Sequence, residues 1–327
     1  MPKSVLDEPR FRNEESAYEW VEARVWANGR FCPHCGVIGE SGKLKGKSTR
    51  IGVYKCYACR KPFTVKVGTI FEKSHVPMHI WMQAIHLVCS SKKGISANQL
   101  HRVLGVDLKT AWFMGHRIRL AMDPGSNAGP LGGEGKVIEA DETFVIKQRG
   151  RTKWEFNNTY GWMKVRDRRE LVVFALVERG GRARAMPIAA TTSDELRRAL
   201  KKHGDTKSAL MTDEWRGYIR PGREFASHES VNHSEEEWTR WDRGSMAGTE
   251  AVENFFSVFK RGMKGVYQHC SEEHLARYLH EFAFRYSNRI GLGVDDVERS
   301  ARTVAGAVGK RLTYRTTHRE TGQTGTA

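Results

Sequence analysis

The chain has 327 residues, 39% hydrophobic and 28% charged, which excludes wholesale disorder and is enough material for two or three domains. Its longest apolar stretches, such as 171–177 (LVVFALV), fall short of the roughly 18 residues that suggest a membrane span, and MPKSVLDEPRFRNEES lacks the apolar centre of a secretion signal. Lys and Arg number 54 against 38 Asp and Glu, and the resulting +16 favours a polyanionic partner, phosphate backbones first, in a cytoplasmic setting and not at a membrane.

Ala17, Trp20, Val21 and Val25 recur at helical spacing, which predicts a short amphipathic helix over 14–26. Cys32-Pro-His-Cys35 and Cys56-Tyr-Ala-Cys59 follow, two CxxC pairs with 20 residues between them. Each pair turns two thiolates toward one ion, and two pairs close a tetrahedral sulfur site. Cys32, Cys35, Cys56 and Cys59 are therefore expected to hold one structural Zn²⁺, with no position left open for chemistry. Phe31, Tyr54 and Phe63 flank the cluster and can cover it. Cys89 and Cys270 have no partner in this pattern and are expected to be ordinary buried or half-buried thiols. Between the pairs, GKLKGKSTR carries Lys43, Lys45, Lys47 and Arg50. It reads either as a solvated loop or as a finger on DNA phosphates.

The stretch 76–122 reads as helical. Ser96 can cap a helix ending at Leu104, Gly105 turns the chain, and Asp107 can cap a second helix to Met122. That second helix carries Lys109, Thr110, His116, Arg117 and Arg119. Two readings stand: a helix-turn-helix whose second helix enters the major groove, and a plain helical hairpin. The Gly- and Pro-rich run 123–135 (DPGSNAGPLGGEG) predicts a domain boundary. Beyond it, 136–145, 171–177, 183–188 and 208–212 are β-like, whereas 193–203, 247–263 and 272–288 have helical spacing. Hairpin-linked strands followed by alternating helices and strands predict an α/β mixed sheet flanked by helices. The basic, then polar tail has almost nothing to bury and is expected to be mobile.

Three acidic clusters fall at telling places. Asp141 lies at the end of an apolar strand-like run and Asp213 at the end of a second. In the segment after residue 247, Glu250, Glu253, Asn254, Ser257 and Lys260 share one helical face, opposite Phe255, Phe256, Phe259 and Met263. Alone, that is an ordinary surface helix. Together, two strand-end aspartates and a helical glutamate are the carboxylates that a two-metal phosphoryl-transfer site requires. His228 and His233, in HESVNHS, read as metal ligands or as a strand and turn near the site. Trp215 and Tyr218 read as rings that stack on a flipped base or as core residues, and the core is the expectation.

The FCPHC…YKCYAC pairs, EADETFV, MTDEWRGY, HESVNHS and ENFFSVFKRGMKGVYQHCSEEHLARYLHEFAFRYSNR arrive in one order over residues 14–290. In this the chain resembles bacterial insertion-sequence DDE transposases with an N-terminal zinc ribbon, the ISXO-like group. The resemblance implies an RNase H-like mixed sheet flanked by helices, preceded by a zinc ribbon and a helix-turn-helix-like region. It implies Mg²⁺ (or Mn²⁺), two ions per active site, with Asp141, Asp213 and Glu253 as ligands and Lys260 beside them. Where relatives often have Asn three residues before that Glu, this chain has Glu250, which leaves the third ligand open between the two. The partners implied are double-stranded DNA, as terminal inverted repeats and as target, and other copies of the chain assembled on it. Expected domains are 1–70 (helix and ribbon), 71–125 (helix-turn-helix-like), 126–300 (catalytic) and 301–327 (tail). The rival reading is a non-catalytic DNA-binding protein, a repressor or a decayed transposase; a nuclease without strand transfer would share the metal site.

Overall fold

The computed structural model describes residues 4–125, 128–146, 152–166, 170–235, 237, 239–242, 245–268 and 270–313. Contacts divide the chain into two compact units, 1–124 with 289–327, and 125–288. In chain order, the first unit begins with α1 (Glu14–Val25), β1 (Ser41–Lys43), β2 (Tyr54–Cys56), β3 (Pro62–Phe63), α2 (Met78–Ser90), α3 (Ala97–Leu104) and α4 (Leu108–Ala121). The second unit starts with β4 (Val137–Ile146), β5 (Thr152–Asn157), β6 (Gly161–Arg166), β7 (Glu170–Glu178), β8 (Ala183–Ile188), α5 (Ser193–His203) and β9 (Ala209–Asp213). It continues through α6 (Ile219–Gly222), β10 (Ser227–Val231), β11 (Thr239–Asp242), β12 (Ser245–Gly248), α7 (Glu250–Gly262) and α8 (Glu272–Ser287). Then α9 (Asp296–Ala305) returns to the first unit.

Local chemistry starts and stops the helices of the first unit. The Asn13 side chain accepts from the Ser16 amide at 2.9 Å, and that of Ser96 accepts from Gln99 at 3.2 Å, each satisfying a donor that the helix cannot. Gly105 ends α3 in the left-handed region at φ 65°, where a side chain would be strained. The turn between α3 and α4 is thus the expected one, but three of the five polar residues named on α4 are not available to DNA. His116, Arg117 and Arg119 are all buried. The Arg117 guanidinium donates to the carbonyls of Ile70 (2.8 Å), Glu72 (3.0 Å) and Leu312 (3.0 Å) within this unit. Its charge is spent tying three chain segments together; Leu108 and Lys109, in the first turn, remain exposed.

Helix α9 packs on α1, α2 and α4. Residues 289–300, expected at the end of the catalytic domain, accordingly sit in the first unit. The tail expectation changes too. Residues 301–305 finish α9 and Leu312 is buried, while 314–327 lie outside the described residues.

In the second unit five strands form one mixed sheet in the order β10-β9-β4-β7-β8. β4, β7 and β8 run antiparallel as a meander, and β9 and β10 are parallel to β4, which is the RNase H-like arrangement. β7 is buried from Val172 to Val177 because helices cover both faces of the sheet. Val173, Ala175 and Val177 pack against Val252, Phe255, Phe256 and Phe259 of α7 and Leu275, Leu279 and Phe282 of α8. Phe174 and Leu176 point the other way, toward Leu196 and Leu200 of α5 and toward Tyr218. The phenylalanine stripe of α7 anchors it on the sheet, as the helical spacing predicts. Among the described residues no helix is long and apolar enough to cross a membrane.

Candidate active site and metal centre

The four cysteines of the ribbon converge. Cys32 Sγ lies 3.7 Å from Cys59 Sγ, Cys35 Sγ lies 3.7 Å from Cys56 Sγ, and all four atoms are within 4.8 Å of one another. Zinc–sulfur bonds of ~2.3 Å in a tetrahedron require edges of about 3.8 Å, so the quartet fits one zinc ion. Burial pushes the Cys32 thiol up, but the His34 and Cys35 amides and neighbouring sulfurs outweigh it and hold it at about 6. Tyr54 and Phe63 stack at 6.0 Å beside the cluster, and Trp26 meets both edge-on. The lysines of the intervening loop, Lys43, Lys45 and Lys47, are exposed along with Arg50. Cys89 is buried and Cys270 half-buried, as expected.

On the sheet, β4 and β9 pair in parallel, Val137 with Ala209 and Glu139 with Met211. Pairing stops there; Asp141 and Asp213 each lie two residues farther along these neighbouring strands, and their charges act on one another. Alternation along β4 sends Glu139 and Asp141 to the α7 face and Ile138, Ala140 and Glu142 to the opposite core. Asp213 follows Met211 on the α7 side, where Met211 packs with Val137, Val231 and Ala247. Burial pushes the Asp141 carboxyl up to about 7, and the charges of Asp213, Glu142 and Glu253 add to the rise. The amide of Glu142, which donates to Asp141 Oδ1 at 2.7 Å, opposes it. A crowd of like charges in a low-dielectric site is what a divalent cation relieves.

Glu253 and Glu250 differ in setting. Glu253 is half-buried and its Oε1 accepts from the Thr249 hydroxyl at 2.6 Å, whereas Glu250 is exposed. Lys260 is exposed in the last turn of α7. The carboxylates share one side of the sheet and act on one another, but among the described residues only the four cysteines gather ligand atoms within 4.8 Å.

Two carboxylates escaped the sequence reading. Glu139, buried within the strand, accepts from Arg179 Nε at 2.6 Å and from the amides of Ala251 (2.7 Å) and Val252 (3.0 Å) at the start of α7. Arg179 in turn donates to the Gly248 carbonyl at 2.9 Å. Thr249 provides no side-chain cap, so the strand that holds Asp141 caps the helix that holds Glu253. A charged residue at a core-facing position of an apolar run was the signal. Glu142 receives a hydrogen bond from the fully buried Tyr218 hydroxyl, and burial raises its carboxyl to about 7.

His228 lies on β10 with Nε2 2.9 Å from the Thr212 hydroxyl, and a Cβ at Gly222 would collide with its ring. It is a strand residue packed from both sides. His233 follows in a short 3-10 turn. Tyr218 is in the core as expected, but Trp215 is not: its ring is 48% exposed, and its backbone amide donates to Asp213 Oδ1 at 3.1 Å.

Comparison with known proteins agrees with both halves of the chain. Residues 130–287 match the ISXO2-like transposase domain and residues 12–62 the transposase zinc-ribbon domain. An uncharacterized protein in transposable element ISH50 of Halobacterium salinarum is 26% identical over 283 residues, covering 84% of this chain and 91% of that protein. Among solved structures, the Drosophila P element transposase strand transfer complex is matched over 66% of this chain and 58% of that one, at 12% identity and a TM-score of 0.25. The Mos1 transposase paired-end complex with left transposon end is matched over 65% and 77%, at 10% identity and a TM-score of 0.20.

Proposed function

Since this chain belongs to the ISXO2-like transposase family, we propose that it binds the terminal inverted repeats of its insertion sequence and catalyses DNA cleavage and strand transfer. Asp141, Asp213 and Glu253 would hold two Mg²⁺ (or Mn²⁺) ions, which when bound activate the attacking water or hydroxyl and steady the leaving oxygen. The observation that carries this reading is the parallel pairing of β4 and β9 together with the half-buried Asp141 carboxyl, raised by desolvation and by the charges of Asp213, Glu142 and Glu253. The chain's own residues supply the positioning. Two adjacent strands fix the aspartates, Glu139 and Arg179 hold the start of α7, and the phenylalanine stripe holds its length. Glu250, exposed at the helix's first position, serves the helix N-terminus and not the ions. Lys260 offers an exposed positive charge to a DNA phosphate.

The test is a strand-transfer assay with a labelled transposon end in Mg²⁺. Joined product is expected from the wild type. Asp141→Asn, Asp213→Asn and Glu253→Gln should each lose nearly all of it at unchanged DNA affinity, and Glu250→Gln should lose about 10–100-fold at most. An active Glu253→Gln with an inactive Glu250→Gln would reverse the choice of glutamate. Cleavage without joining would reduce the activity to that of a nuclease, and binding without reaction would leave the non-catalytic reading.

A further inference from the structure

Four described strands of the second unit stand outside the five-stranded sheet, as the pairs β5–β6 and β11–β12. β5 and β6 pair as a hairpin, Thr152 with Arg166, Trp154 with Lys164 and Phe156 with Trp162. Side chains alternate across a strand, so this register assigns Trp154, Phe156 and Trp162 to one face. Trp154, Phe156 and Trp162 are 63%, 62% and 67% exposed, with the last two rings edge-on at 5.6 Å. Tyr160, in the connecting turn, is 76% exposed. A lone two-stranded hairpin is marginal in water, and a cluster of large rings on one is costly unless something covers it.

Charge identifies what covers it. Residues 147–170 hold eight Lys and Arg against three Asp and Glu, a net +5 in 24 residues of a chain whose total is +16. A second copy of so basic a chain would bring like charge to like, whereas a nucleic acid brings phosphates to the cations and π-faces to the rings. A B-form duplex buries those π-faces in its stack; only unpaired bases can lie flat on an aromatic surface. The strand carrying Asp141 leads into this hairpin, with only residues 147–151 between β4 and β5.

We propose that the β5–β6 hairpin is a stacking platform for unpaired nucleotides of the DNA being processed, with Trp154, Phe156 and Trp162 receiving bases. This rests on the DNA-processing reading above and adds the partner's state: single-stranded DNA, at a frayed or cut end.

The full-length chain without added Mg²⁺ would be titrated against labelled poly-dT, a blunt duplex of the transposon end, and that duplex with a single-stranded overhang. Replacing Trp154, Phe156 and Trp162 together by Ala should weaken poly-dT and overhang binding by about 100-fold or more, and blunt-duplex binding less than about threefold. The three rings are solvent-exposed, so circular dichroism and zinc content should stay as in the wild type. Unchanged poly-dT affinity in the aromatic variant overturns the proposal. So does a shift from dimer to monomer in sedimentation with DNA binding intact, which would make the face an interface between copies. A wild type that binds no DNA defeats the broader reading as well, whereas a wild type that cleaves and a variant that keeps its overhang affinity defeats this proposal alone.

Discussion

Glu139 ties the strand that carries Asp141 to the start of the helix that carries Glu253. Its carboxylate is desolvated and satisfied by one guanidinium and two helix amides, so its removal leaves all three without their acceptor. Breaking a buried ion pair costs about 3–5 kcal/mol. Arg179 keeps 26% of its side chain in water, which argues for the lower end, near 3 kcal/mol, for Glu139→Gln. Denaturant unfolding should show that loss. A milder Arg179→Lys, which keeps the charge but not the fork, should lower the cleavage rate at matched DNA affinity, because α7 and Glu253 move with the pair. At His203, pH sets the outcome. Burial, with the positive charges of Arg184 and Lys202, holds its pKa down at about 4, and Arg184 Nη1 lies 3.1 Å from Nδ1, which can accept only in the neutral ring. An unfolded His titrates near 6.5. Between about 6.5 and 4 the unfolded chain therefore binds a proton that the native state refuses, so stability is complete above that window and falls as pH drops through it. His203→Gln should flatten this part of the melting-temperature profile and leave the alkaline side unchanged.

At the scale of elements, the same device appears twice: a carboxylate from another segment caps a helix that cannot cap itself. Glu139 does this for α7. Glu14 does it for α2, whose Pro77 offers no cap, by accepting from the amides of Met78 (2.8 Å) and His79 (3.1 Å). Such caps fix a helix's position as well as its end, which sequence spacing cannot express. The zinc ribbon is held differently. β1, β2 and β3 are two or three residues each, too short to be stable alone, so the metal is their core. Metal analysis should find about one zinc per chain, and Cys56→Ser should lower that content and open the ribbon, seen as faster proteolysis within 30–65. Full zinc in that variant would mean that Cys56 is not a ligand.

For the molecule as a whole, the proposed function makes the excess of cations the term that should govern association with DNA. Binding to a duplex end should weaken about a thousandfold or more between roughly 50 and 200 mM salt, the loss expected for about six or more neutralised phosphates. A shallow slope would mean that the +16 is spent within the fold, as at Arg117, and not on DNA. Arg117 shows that basic residues in this chain have two uses, and only their burial separates them.

The sequence by itself determined the elements whose signal is local. Two CxxC pairs imply their metal because knuckle geometry is built into each pair; the α7 stripe follows from a period of 3.6 and β9, ending at Asp213, from a period of 2, whereas β4 does not end at Asp141 as expected but runs on to Ile146, paired with β7. The boundary at 123–135 is written in glycine and proline. Tertiary structure decided what depends on partners distant in the chain. Residues 139, 179 and 251 form one clamp only once β4 and β7 pair and α7 lies across them. Arg117 turns inward because carbonyls of residues 70, 72 and 312 meet there, although its sequence neighbours suit a DNA-facing helix equally well. Trp215 and the β5–β6 rings look like core residues by composition, yet they are exposed. Periodicity reports which side of an element is apolar; whether anything covers that side is a property of the packed chain.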